Sequence, residues 1–302
     1  MVRSLCLFAV DQSTTDHRCD FRASECGISM SSIVTDRGLV HYESYGRGRP
    51  VVLLHGWLES WDHWLRTMEW LGRSCKAYAL DFWGFGDSGK QGGFTVRDYI
   101  EMVNQFMERL GIKQAPIIGH SMGGTVSLGL ALEHPERVEK VAVVGSPIVG
   151  DGLALFLKFA AKRSLASLAY KVPHVLPLGV RILSPLLARD WRTWYGMFAR
   201  DLSRTTLESF HYSIASLRET DLRSRLKDLD VPALGVYGQG DRIVDPRQGE
   251  VLAQCTSLAE ISYFEHSGHF PMLDEPQRFH ETLCDFLGCP CGLQSGEQGE
   301  SG

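Results

Sequence analysis

Six consecutive residues, Gly119-His120-Ser121-Met122-Gly123-Gly124, place a hydroxyl where it can act as a nucleophile. They follow the apolar run 116–118, with small residues two before and two after the serine. That composition permits a sharp strand-to-helix turn, in which a bulky Cβ would collide with neighbouring backbone. Such a turn projects the Ser121 hydroxyl above the carboxyl edge of a sheet. The N-terminus of the following helix offers free N–H groups and a positive dipole to a developing oxyanion. His55-Gly56-Trp57 ends another apolar run, 50–54, and the backbone N–H of Trp57 can be a second oxyanion donor beside that of Met122. His55 itself reads as a hydrogen bond that shapes the loop. A serine nucleophile also needs a base and a group that orients it. The run 233–237 leads into Gly238-Gln239-Gly240-Asp241, with Asp245 four residues on, and the run 260–264 leads into a segment carrying His266 and His269. No acidic helix accompanies the two histidines, so a metal pair there is not favoured.

These groups hang on a regular alternation. Apolar runs at 50–54, 77–80, 116–118 and 138–144, rich in Val, Ile, Leu and Ala, read as buried strands. Ahead of them, 32–45 reads as two strands around the hairpin signal Asp36-Arg37-Gly38. Ser60 opens one helix. Thr95 opens another, with Asp98 as its capping-box partner and Gly111 at its stop. Strands alternating with helices imply a parallel sheet covered on both faces. From 150 to 222 the rhythm breaks into helical segments divided by Pro173, Pro177 and Pro185, with ten Lys/Arg against six Asp/Glu. It resumes at 233–237 and 260–264, and Asp274 is expected to cap a final helix with Pro276 in its first turn, ending near Gly288. The first 29 residues show no clean periodicity. The expected layout is an extension over 1–29, a core over 30–149 and 223–288, a helical lid over 150–222, and a disordered tail over 289–302.

Composition bounds the function. The chain has 302 residues, 44% hydrophobic and 22% charged, with a formal charge of −5. That excludes a disordered protein, a coiled coil or a collagen-like fibre. No basic stripe recommends nucleic acid as a partner, and no apolar run approaches the roughly 18 residues needed to cross a bilayer. Only residues 5–10 form an apolar block near the N-terminus, short of a signal peptide's apolar region. The expected location is cytoplasmic. The eight cysteines show no Cys-x-x-Cys repeat and read as reduced, structural thiols, and His280, Cys284, Cys289 and Cys291 read as a helix end and tail rather than a metal cluster.

By these motifs and their order, residues 32–288 resemble the α/β-hydrolase superfamily, in the branch of small esterases, cofactor-free haloperoxidases and carbon–carbon bond hydrolases. Asp81-Phe82-Trp83-Gly84-Phe85-Gly86-Asp87-Ser88 is similar to the family's D-x-x-G-x-G-x-S loop. The resemblance implies an α/β fold: a mostly parallel sheet with helices on both faces and a helical lid insertion. It implies Asp241 as the acid, ahead of its rival Asp245, and His269 as the base, with His266 a loop residue. The chain order Ser121, Asp241, His269 agrees with this architecture. Serine at the nucleophile position disfavours epoxide hydrolase and haloalkane dehalogenase chemistry. Leu58, where perhydrolase-type relatives place proline, weakens the haloperoxidase reading. Trp57 and Trp83 sit just past strand ends, where α/β sheets bind ligands, so Trp83 is expected to touch substrate. Phe156, Phe159, Trp194 and Phe198 are expected to supply apolar surface from the lid. The implied activity is hydrolysis of a small or medium carboxylic ester, with no metal or organic cofactor. The alternatives are a carbon–carbon (diketone) hydrolase, a haloperoxidase or perhydrolase, and a non-enzymatic ligand-binding receptor.

Overall fold

Eight short strands account for the apolar runs. The computed structural model describes residues 29–154 and 175–289. Within it the strands are β1 (Ser29–Thr35), β2 (Gly38–Gly46), β3 (Arg49–Leu54), β4 (Cys75–Leu80), β5 (Ala115–His120), β6 (Val138–Val144), β7 (Ala233–Gly238) and β8 (Ala259–Phe264). They form one sheet in the order β1-β2-β4-β3-β5-β6-β7-β8. The hairpin β1–β2 and the pair β2–β4 are antiparallel, and every other pair is parallel. Every residue of β5 and β7 is buried. Because successive side chains of a strand point to opposite faces, continuous burial means that both faces are covered.

The helices do the covering. α1 (Leu65–Leu71), α2 (Val96–Arg109) and α3 (Met122–Glu133) follow β3, β4 and β5. Among the described residues, three helices, α4 (Val175–Leu183), α5 (Trp191–Ser203) and α6 (Leu207–Glu219), lie between β6 and β7. α7 (Gln248–Cys255), the single turn α8 (Pro271–Asp274) and α9 (Pro276–Leu287) follow in the described residues. α2 begins as its sequence suggests: Thr95 and Asp98 form a reciprocal capping box. α2 and α3 pack on one another, while α1 packs on α9, with Trp70 stacked on His280 at 5.1 Å. Among the described residues, no helix is long and apolar enough to cross a membrane.

The segment between β6 and β7 leaves and re-enters the core at one place. Val149 and Asp221 form an antiparallel bridge, Gly150 N–H donates to the Thr220 carbonyl at 2.9 Å, and Leu222 N–H donates to that of Ile148 at 3.1 Å.

Three expectations change. Among the described residues β1 already includes Ser29, paired with Ser44, three residues ahead of the strand read from 32. Asp274 does not cap the final helix; it ends the separate turn α8, the cap position is Glu275, and the Asp274 carboxylate accepts instead from the N–H groups of Gly268 (2.8 Å) and Arg189 (2.9 Å). Pro271 sets this up by starting a helical turn of its own. Cys284 is disulfide-bonded rather than reduced, whereas Cys75 and Cys289 are thiols with their sulfurs 3.1 Å apart. The expected extension and tail, and Phe156 and Phe159, lie outside the described residues apart from Ser29 and Cys289.

Candidate active site

Ser121 stands alone between β5 and α3, with φ 51° and ψ −117°. Only one other described non-glycine residue, Leu58, has positive φ. A side chain forced into this region signals stored strain of the sort found at functional sites. The neighbours explain how the turn fits. A Cβ at Gly119 would strike the Gly123 carbonyl, and one at Gly123 would strike the Leu54 carbonyl. Ser121 N–H donates to the Val144 carbonyl at 2.8 Å, which ties the turn to the end of β6.

Asp241 and His269 meet from the ends of β7 and β8. The Asp241 Oδ2 accepts from His269 Nδ1–H at 2.7 Å, and its Oδ1 accepts the N–H groups of Ile243 (2.8 Å) and Val244 (3.0 Å). The two side chains are 0% and 3% exposed, so little water competes for the bond. Asp245 points elsewhere: it pairs with Arg247 through both oxygens, and that hydrogen bonding holds its carboxyl below the ordinary range. His266 is exposed, and its N–H donates to Glu275. Ser121 adjoins His120, whose ring centroid is 4.6 Å from that of His269. Gly145, at the end of β6, also borders His269, since a Cβ there would lie 3.1 Å from Nδ1.

The turn after β3 is held from both sides. His55 Nδ1–H donates to the Gly56 carbonyl at 2.7 Å, and its Nε2 accepts the Phe82 N–H at 2.9 Å. Complete burial pushes the His55 pKa down, consistent with a neutral ring. Glu59 Oε2 accepts the Gly56 N–H at 2.7 Å. Leu58 has φ 60°, which proline cannot adopt because its ring fixes φ near −65°. The backbone itself therefore departs from a proline-bearing turn. The Trp57 indole lies tilted against the Phe210 ring of α6, with centroids 4.7 Å apart, and donates to the Phe210 carbonyl at 3.1 Å.

Asp81 organises the loop after β4. It accepts from the N–H groups of Trp61 (2.8 Å) and Asp87 (2.9 Å) and from His41 Nδ1 (2.9 Å). Trp83 is fully buried, with ring atoms 3.6 Å from where a Cβ would stand at Gly38 or Gly92. Trp194 and Phe198 of α5 are buried and stacked on each other at 5.4 Å. Trp194 also lies 5.5 Å from Phe270, whose ring is 5.1 Å from that of His269. The sequence gives no local sign of this role for Phe270.

A second acidic group joins α5 to the turn after β3. Ser60 Oγ donates to Asp201 Oδ1 at 2.9 Å, and His63 Nε2 lies 3.3 Å from Asp201 Oδ2. The ligating atoms of Asp62, His63 and Asp201 lie within 4.8 Å of one another. Arg200 pairs with Asp62 and sits 3.6 Å from Asp201, so cationic charge is already supplied there.

Two buried histidines bind protons more tightly than free histidine. Burial lowers the His41 pKa, but hydrogen bonds and charge from Asp81 and Glu43 outweigh it and raise the value from 6.5 to about 9. For His63, burial is likewise outweighed by Glu59 and Asp201, giving about 8. A raised folded-state pKa stabilises fully below the unfolded value and is lost as pH rises through the folded one. Thermal unfolding should therefore show Tm falling from about pH 6.5 to pH 9. In His41→Gln, Tm at pH 6.5 should be lower and the slope shallower; an unchanged slope would remove His41 as its source.

The model of the alpha/beta hydrolase fold family matches residues 49–276. A 2-hydroxy-6-oxo-6-phenylhexa-2,4-dienoate hydrolase of Comamonas testosteroni is 27% identical over 266 residues, covering 82% of this chain and 91% of that protein. A pimeloyl-[acyl-carrier protein] methyl ester esterase of Vibrio vulnificus is 27% identical over 271 residues, covering 82% of this chain and 98% of that protein. Among solved structures, a thermophilic esterase from Thermogutta terrifontis superposes with a TM-score of 0.75 at 21% identity, covering 86% of this chain and 98% of that one. With the family model spanning most of the chain and hydrolases as its relatives, the protein belongs to the α/β-hydrolase family and is a hydrolase.

Proposed function

We propose that the protein is a serine hydrolase that cleaves a small or medium carboxylic ester through an acyl-enzyme. The observation that carries this reading is the buried 2.7 Å bond between His269 and Asp241, made at the same sheet edge as the strained Ser121 turn. His269 Nε2 takes the hydroxyl proton as Ser121 Oγ attacks the carbonyl carbon. Asp241 keeps the other ring proton on Nδ1 and stabilises the imidazolium that forms. The N–H groups of Trp57 and Met122 receive the negative charge on the carbonyl oxygen. Collapse of the tetrahedral intermediate passes the proton to the departing alkoxide, and water, activated by His269 in turn, releases the acid.

A carbon–carbon bond hydrolase is the second reading, favoured by the Comamonas testosteroni relative, whose named substrate is a dienoate. A panel of chromogenic esters of rising acyl length, run beside a diketone substrate, separates the two. Ester turnover at least tenfold above diketone turnover supports the first reading, and the reverse ranking replaces it with the second.

The segment 150–222 is proposed as the lid over the acyl pocket. Its contacts support this: Trp57 meets Phe210, Ser60 meets Asp201, and Trp194 meets Phe270 beside His269. Each buried methylene is worth about 0.8 kcal/mol, roughly fourfold in kcat/KM if fully expressed in the transition state. Trp194→Ala and Phe198→Ala should therefore flatten the dependence of kcat/KM on acyl length and affect an acetyl ester far less. Equal losses on all chain lengths would assign these rings to packing alone. The extension is proposed to be dispensable: a chain beginning at Met30 should keep Tm and ester turnover, and a large drop in either would give the extension a role.

A further inference from the structure

Two buried polar side chains near the proposed site are not used by its chemistry. Glu59 is 4% exposed and His120 is 0% exposed. His120 Nδ1 lies 2.9 Å from Glu59 Oε1, and its Nε2 lies 2.8 Å from the backbone carbonyl of His269. A carbonyl only accepts, so Nε2 carries a proton. Burial alone would push the Glu59 carboxyl up, but His120, His63 and the Gly56 N–H outweigh it and hold the carboxyl well below its ordinary range. The ionised Glu59 makes its contact with the His120 ring a charge-assisted one.

The contacts run unbroken from one moving part of the reaction to another. Glu59 fixes the Gly56 N–H at 2.7 Å, while His55 fixes the Gly56 carbonyl at 2.7 Å. That carbonyl and the Trp57 N–H belong to one planar trans peptide, so pinning the oxygen sets the direction of the N–H. From Glu59 the path passes through His120, the residue before Ser121, to the backbone of His269. We propose that Glu59 and His120 act as one strut, positioning the Trp57 oxyanion donor and His269 relative to Ser121. The proposal rests on the serine hydrolase reading above. Local sequence does not announce it, because Glu59 and His120 are 61 residues apart.

The test uses Glu59→Gln, His120→Gln and the double variant, in the full chain, with kcat expressed per active site titrated by a fluorophosphonate. Titration removes any unfolded fraction from the comparison. Losing one oxyanion donor outright costs about 10² to 10³ in kcat, so loosening it should cost each single variant about 10- to 100-fold, with KM within about twofold. Inhibition by a trifluoromethyl ketone, which mimics the tetrahedral intermediate, should weaken by the same factor. Residues acting as one unit give non-additive losses, so the double variant should lose no more than the worse single. Wild-type kcat per titrated site, with only Tm and site count reduced, overturns the proposal in favour of a packing role. Additive losses overturn the idea of a single strut. Failure of the serine hydrolase reading would look different: the wild-type protein would leave Ser121 unlabelled by the fluorophosphonate.

Discussion

Ser121→Ala is expected to lower kcat on the best ester substrate by about 10³-fold or more while Tm stays nearly unchanged. The size follows from the role. Without the hydroxyl no acyl-enzyme can form, and only oxyanion stabilisation and substrate binding remain to accelerate attack by water. Stability is spared because the strain sits in the backbone. Alanine inherits φ 51° along with the Gly119 and Gly123 approaches that enforce it, and it removes one oxygen. Steady-state kinetics beside a thermal melt check both halves. Retained turnover in a folded variant would take the nucleophile role from Ser121.

Asp241→Asn should cost up to about 10⁴ in kcat, and Asp245→Asn far less. Asp241 Oδ2 now accepts from His269 Nδ1–H at 2.7 Å, with Oδ1 occupied by the N–H groups of Ile243 and Val244. An asparagine that keeps its oxygen on those two backbone donors presents NH₂ to Nδ1. The imidazole must then accept at Nδ1 and carry its proton on Nε2, where it can no longer take one from Ser121. Asp245 has no such leverage, because its carboxylate is engaged by the exposed Arg247. Parallel kinetics of the two variants decide the point. A larger loss in Asp245→Asn would transfer the acid role to it.

Much of this was within reach of single-sequence patterns for a physical reason. Strands buried on both faces must be apolar, so β7 and the buried stretches of β3, β5 and β6 stand out as continuous runs. The Thr95–Asp98 box and the Gly119–Gly124 turn are equally local, each complete within four to six residues. What depends on tertiary contact is not legible in this way. Trp83 follows a strand end, and its packing against Gly38 and Gly92 is set by segments distant in sequence. Asp274 has the right type and spacing for a helix cap, but Gly268 and Arg189 claim its oxygens. Phe270, Asp201 and the Glu59–His120 pair gain their places only when distant loops converge.

In the proposed mechanism, chemistry runs through a covalent intermediate on Ser121. Its most direct test is to react the wild-type protein with a fluorophosphonate and locate the adduct by peptide mass spectrometry. One adduct per chain is expected, on Ser121, with ester turnover lost in proportion to labelling and labelling abolished in Ser121→Ala. A stoichiometric adduct on another residue, or full turnover by protein labelled at Ser121, would contradict it.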